Sequence, residues 1–124
     1  MSETWAEYIE RISDGPERCV NAWTARQAIL LEKTFRNTLQ ADFLEPVSYV
    51  MEGDEILFCS WDTAQDHVEV EFHPESQNGA AHLSWFGRSW ENGEYWGEGC
   101  PTGEMIPEKA GEMFRRILAA NLGR

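Results

Sequence analysis

Basic residues are scarce. The 124-residue chain has 10 Lys and Arg against 22 Asp and Glu, a net charge of −12, and no Lys or Arg occurs between Asn37 and Gly87. Sequence-independent binding to nucleic-acid phosphates or anionic lipid is thereby disfavoured, and basic partners are favoured instead. Cysteine is equally sparse. Cys19, Cys59 and Cys100 are an odd number at wide spacings with no Cys-x-x-Cys pair, which argues against a disulfide framework or a zinc knuckle. No apolar run approaches the roughly 18 residues of a membrane span, and the opening Met-Ser-Glu-Thr-Trp-Ala-Glu lacks the basic-then-apolar order of a signal peptide. A cytoplasmic location is expected. With no internal repeat, low-complexity tract or linker, a single domain over residues 1–124 is expected as well.

Large apolar side chains, by contrast, are plentiful. Six Trp, six Phe and three Tyr supply surface that a disordered chain would have no reason to carry. Thr4 and Glu7 fit a capping box, and Trp5, Tyr8, Ile9 and Ile12 follow at helical spacing, predicting a helix from Trp5 to Ile12. Pro16 suits the first position of a second helix, whose stripe of Val20, Trp23, Gln27, Leu30, Leu31, Thr34, Phe35 and Leu39 should end near Gln40. From Pro46 the period changes from 3.6 to 2. Val47 to Met51 and Glu55 to Trp61 read as a hairpin about Glu52-Gly53-Asp54, and His67 to His73 alternates strictly, with Val68, Val70 and Phe72 opposite the polar set. After a loop at Pro74 to Gly79, Ala80 to Phe86 is a fourth strand. A fifth is signalled around the two-residue Asn92-Gly93 turn, before an irregular connection containing Gly97, Gly99, Cys100, Pro101, Thr102 and Gly103.

Pro107 and Glu108 open a last helix with the stripe Ala110, Met113, Phe114, Ile117, Leu118 and Leu122, stopped at Gly123. The expected fold is therefore α+β, a two-layer structure. An antiparallel meander of four or five strands over residues 47 to 98 is covered on one face by the N-terminal and C-terminal helices. Its expected core holds Leu30, Phe35, Val68, Val70, Phe72, Leu83, Trp85, Phe114 and Ile117, with Cys19 and Cys59 as reduced, buried thiols.

Charge is distributed unevenly along this framework. Residues 42 to 108 carry 15 acids and one base, Arg88, for a net −14, while the helical flanks carry 7 acids and 9 bases. If helices cover one sheet face, Glu69 and Glu71 must stand on the other, and Trp61, Phe86 and Trp96 are expected beside them. Acidic residues with aromatic anchors suit docking of an Arg/Lys-rich protein. The competing reading is a solvated face that keeps the protein soluble, against which stands a net charge of −12 where a small domain typically carries roughly 2 to 8; adaptation to salt is a third reading, from eight Arg against two Lys.

His67-x-Glu69-x-Glu71-x-His73 offers ligand types suited to zinc, iron or manganese. Same-side residues on one strand are about 7 Å apart, so only a cross-strand set such as His73 with His82, plus Glu71 or Glu75, has workable geometry. Solvated histidines beside carboxylates are the plainer reading, and no metal or other cofactor is expected. Gly97-x-Gly99-x-x-x-Gly103 carries Glu98 and Glu104 where phosphate would need donors, which excludes nucleotide binding there. Cys100 is expected to be a bystander thiol in a flexible loop, its pKa raised by neighbouring glutamates.

Pro46-Val47-Ser48-Tyr49, Gly53-Asp54-Glu55-Ile56-Leu57-Phe58-Cys59-Ser60-Trp61 and His67-Val68-Glu69-Val70-Glu71-Phe72 together resemble a layout of small uncharacterised bacterial and phage-associated proteins. Those run helix, Pro, strand, Asp/Gly turn, strand ending in Trp, then an alternating acidic strand. The resemblance implies a fold and no activity. A looser similarity is to class I type III secretion chaperones, which insert a helix between strands three and four where Pro74 to Gly79 is too short for one. Taken together, a small acidic, non-enzymatic binding module for a basic protein is expected, of the kind used by immunity proteins, inhibitors, secretion chaperones or nucleic-acid mimics. Its docking residues would be Glu69, Glu71, Trp61, Phe86 and Trp96. The alternative is a small metal- or ligand-dependent enzyme using His73, His82 and Glu71. Pairing of strand edges into a homodimer stays open.

Overall fold

A computed structural model of the chain describes residues 4–13, 20, 22–39, 46–51, 56–63, 65–73, 83–90, 93–100 and 103–122. The chain runs α1 (Trp5–Ser13), α2 (Ala22–Leu39), β1 (Val47–Met51), β2 (Ile56–Asp62), β3 (Asp66–Phe72), β4 (Leu83–Ser89), β5 (Tyr95–Cys100) and α3 (Glu108–Leu122). All five strands are antiparallel to their neighbours in sequential order, β1-β2-β3-β4-β5, and the helices precede and follow them. The α+β reading with a five-stranded meander holds. Pro16, Cys19, the Glu52-Gly53-Asp54 turn, the Pro74 to Gly79 loop, Glu75, Ala80, His82, Pro101, Thr102 and Gly123 lie outside the described residues.

Local chemistry sets the first helix as expected. Thr4 Oγ1 accepts from Glu7 N–H at 3.1 Å while Glu7 Oε1 accepts from Thr4 N–H at 3.1 Å, a reciprocal capping box. Trp5, Ile9 and Ile12 then share the buried face. The second helix is shorter than expected, because Val20 sits in a bend, its N–H donating to Ile12 O at 3.3 Å, and the helix starts at Ala22. The N–H of Val20 thus ties the connection back to α1 instead of serving an α2 turn. Leu31 rather than Leu30 takes the fully buried position; Leu30 is half-buried.

Alternation places Leu57, Cys59 and Trp61 of β2, Val68, Val70 and Phe72 of β3, and Leu83 and Trp85 of β4 on one face, all at most 2% exposed. Phe35 of α2 and Phe114 of α3 cover them. Trp5, Phe35, Trp61, Trp85 and Phe114 interlock edge to face, with Trp61 and Phe114 centroids 4.8 Å apart at 90° and Phe35 and Phe114 4.6 Å apart at 74°. Each such pair contributes about 0.5–1.5 kcal/mol beyond its area. One further inward residue is charged. Asp66, 3% exposed, is in phase with Val68 and Val70, and Arg116 of α3 meets it with Nη2 at 2.9 Å and Nε at 3.3 Å. That bidentate pair fastens the C-terminal helix across the start of β3.

Three expectations about the second half of the sheet are corrected. The fourth strand runs on past Phe86 to Ser89, because Gly87 is not a break: Trp96, opposite it on β5, lies where a Gly87 Cβ would be. Gly97, Gly99 and Cys100 are strand, not irregular connection, and Cys100 is buried opposite Leu83. The β4–β5 turn is longer than two residues, since Ser89 N–H donates to Glu94 O and Gly93 N–H to Ser89 O, both at 2.9 Å. Gly93 there has φ +72°, the left-handed region that a side chain disfavours. Gly103 approaches α2 so closely that a Cβ would strike the Gln27 carbonyl, and its N–H donates to Gln27 Oε1 at 2.8 Å.

Candidate functional site

The helices occupy one sheet face, so the other carries the outward residues in cross-strand rows set by register. One row holds Tyr49, Phe58, Glu71, Ser84 and Gly99; the next holds Val47, Ser60, Glu69, Phe86 and Gly97; a third holds Asp62, His67, Arg88 and Tyr95. Tyr49 stacks on Phe58 at 4.7 Å and 7°. Over β3, β4 and the β4–β5 turn, His67, Glu69, Glu71, Phe86, Arg88, Trp90 and Tyr95 line a shallow depression of about 390 Å³. Trp90 is 48% and Tyr95 68% exposed, large apolar areas left at the surface.

Charge inside this depression is only partly compensated. His67 Nδ1 lies 2.6 Å from Asp62 Oδ1 and its Nε2 3.6 Å from Glu69 Oε1, and His73 Nε2 lies 3.9 Å from Glu71 Oε1. Among the described residues neither Glu69 nor Glu71 is ion-paired to a Lys or Arg. Arg88 instead stacks its guanidinium on Trp90, 4.7 Å from the ring centroid. Desolvation pushes the Glu71 carboxyl above its ordinary pKa, with Glu69 adding to the rise and His73 opposing it.

Five residues were expected to dock a partner, and the structure brings three of them together. Glu69 and Phe86 are directly opposite across β3 and β4, and Glu71 is in the adjoining row. Trp61 is not with them; it is 2% exposed in the core, because it shares the parity of Leu57 and Cys59. Trp96 is also on the helix side. It packs over Gly87, and its Nε1 donates to Met113 Sδ of α3 at 3.1 Å. Arg88, Trp90 and Tyr95 line this side instead; Arg88 is legible in the sequence as the residue two on from Phe86, on the same strand face, and Tyr95 is placed by its pairing with Arg88.

The metal alternative finds little here. Its His82 is outside the described residues, and among the described residues no three of His, Cys, Asp and Glu converge on a point that could hold a metal ion. The two described thiols, Cys59 and Cys100, are unsuited to nucleophilic chemistry. Burial pushes Cys59 up to about 12, despite hydrogen bonds from Ser48 and Trp5, and burial with the nearby Glu98 raises Cys100. Among the described residues no helix is long and apolar enough to cross a membrane. Comparison with known proteins finds no matching family model, curated protein or solved structure.

Proposed function

We propose that the protein is a non-enzymatic binding module whose open sheet face docks a basic protein partner. The observation that carries this reading is the pair Glu69 and Glu71, half-buried side by side with Phe86, and without a Lys or Arg counter-charge among the described residues. A Lys or Arg of a partner would relieve the desolvation that raises Glu71 and would find exposed aromatic rings beside it. The net −14 of residues 42 to 108 adds long-range attraction for the same class of partner. Arg88 on Trp90 already displays the guanidinium-on-ring contact that an incoming Arg would repeat on Phe86 or Tyr95.

Any acidic protein attracts polycations, so the test needs a position-matched control. Titration with an Arg-rich synthetic peptide should give an affinity that falls as salt rises, and a Glu69→Gln/Glu71→Gln variant should bind at least about tenfold more weakly. A Glu7→Gln/Glu10→Gln variant, with the same charge change on exposed α1 positions, should bind nearly as the parent does. Equal weakening by the two variants would reduce the interaction to net charge and refute a docking face. Near-stoichiometric zinc, iron or manganese in tag-free protein, lost on His73→Ala, would replace this reading with the enzymatic one.

A further inference from the structure

The sheet ends in two edges of different character. In β1, Val47 and Tyr49 are 69% and 51% exposed and the strand Val-Ser-Tyr-Val-Met carries no charge. In β5, Glu98 is exposed and Glu94 stands just before the strand, while beyond Tyr95 the open-face side carries only Gly97 and Gly99. β4 is the only strand paired with β5 among the described residues, so the outer backbone N–H and C=O groups of β5 have no ladder partner there.

The glycines of β5 differ from others nearby. Gly87 and Gly103 are required by close packing against Trp96 and Gln27. At Gly97 a Cβ would meet only Phe86 and the Trp85 carbonyl, at 3.5–3.7 Å, which is ordinary contact. Packing within the chain therefore does not demand glycine at 97, although glycine weakens a strand and commonly marks where another backbone or a ligand comes close. A depression of about 290 Å³ lies here, lined by Ser84, Phe86, Gly97, Glu98 and Gly99. Along the open face, the row from Glu71 to the edge passes only Ser84 and Gly99, and the row from Glu69 passes Phe86 and Gly97.

Resting on the docking function above, we propose that the basic partner binds as an added strand: an extended Lys/Arg-rich segment, with an apolar and a basic residue two apart on its open face, pairs its backbone with the free edge of β5. Its open-face side chains lie across Gly97 and Gly99, an apolar one against Phe86 and a basic one directed over Ser84 toward Glu71. Its opposite side chains face Glu98. Charge selects both the edge and the occupant. β1 has no carboxylate to attract a basic segment, whereas a second copy of this chain added at β5 would bring another Glu98 strand against the first.

The test uses the full chain and a peptide of repeated Val-Arg-Arg-Arg, whose one face alternates Val and Arg while the other is all Arg, compared with the same peptide N-methylated on alternate residues. Methylation preserves charge and side chains but removes the donors on one edge. Strand addition predicts at least about tenfold weaker binding of the methylated peptide. It also predicts slower amide exchange in residues 95–100, not 47–51, on binding the unmodified one. A Gly97→Val/Gly99→Val variant, whose new side chains fill the depression, should lose a similar factor. Equal affinity for both peptides overturns strand addition; the docking reading then survives if Glu69→Gln/Glu71→Gln weakens both. Failure of both peptides to bind overturns both proposals. The peptide comparison on the parent protein decides the matter even if the double glycine variant does not fold.

Discussion

The two faces of the sheet are written in the same strands, one residue out of phase, and they obey different rules. Toward the helices, Val68, Val70 and Phe72 are fully buried among rings that interlock edge to face, and the inward carboxylate of β3, Asp66, is met by Arg116. Toward solvent, the same strand presents His67, Glu69 and Glu71, and neither glutamate has a Lys or Arg partner among the described residues. A charge on the covered face is neutralised within the fold. On the open face Glu69 and Glu71 have only the imidazoles of His67 and His73 beside them as ionisable bases among the described residues.

The largest effect should come from moving a carboxylate by one residue. Val70→Asp places an unpaired charge in the aromatic core and should cost several kcal/mol, enough to abolish a cooperative melting transition in a domain of this size. Glu71→Val next to it should leave the transition in place. A Val70→Asp protein that melts with the parent would show that the inside-outside assignment of β3 is wrong. Trp61→Ala should follow at about 3–5 kcal/mol, because it opens a hole against Trp5, Phe35 and Phe114. Tyr95→Ala on the other face should stay within about 0.5 kcal/mol in denaturant titration. A large loss at Tyr95 would mean that the open face is also part of the core.

A subtler contrast separates two glycines on neighbouring strands. Gly87→Ala drives a methyl into the Trp96 indole and should cost about 1–3 kcal/mol, detectable by denaturant titration with Trp fluorescence. Gly97→Ala meets ordinary contacts and removes unfolded-state freedom, so it should be neutral or slightly stabilising. If Gly97→Ala destabilised the protein as much as Gly87→Ala, an internal packing demand would explain the glycine, and the case for an approaching strand would weaken.

These same positions mark where the sequence was legible. Period-2 alternation placed β3 correctly to within one residue, and the 3.6 stripe placed α3, since both patterns repeat over several residues. Trp61 lies in the core and not on the open face, because at the end of β2 it keeps the parity of Leu57 and Cys59. Trp96 and the glycine-rich β5 were misread for a different reason. Gly87, Gly97 and Gly99 look like breakers locally, and the segment is strand because residues 95–100 pair one by one with β4, Gly97 and Gly99 included. Arg116 and Asp66 are 50 residues apart, and no local pattern announces such a pair. The acidic pair Glu69 and Glu71 was legible, but the weak ionic compensation around it is a property of the folded face.

The smallest predicted effect tests whether that uncompensated charge carries a cost. Burial raises the folded-state pKa of Glu71 above the ordinary 4.5. A carboxyl with a raised folded pKa binds protons more readily in the folded state, so its contribution to stability is full below pH 4.5 and is lost as pH rises through the folded value. Glu71→Gln cannot ionise. It should therefore be more stable than the parent at pH 7, by a few tenths of a kcal/mol at about the scale that solvent screening leaves to such sites, and the advantage should vanish below about pH 4. Chemical denaturation of the two proteins at both pH values measures it. A variant that is less stable at pH 7 would mean that the contact with His73 outweighs desolvation. The predicted sign has a functional counterpart: the same substitution should weaken binding of an Arg-rich peptide while it strengthens the fold. A residue that lowers stability and raises affinity is one whose charge is kept for a partner.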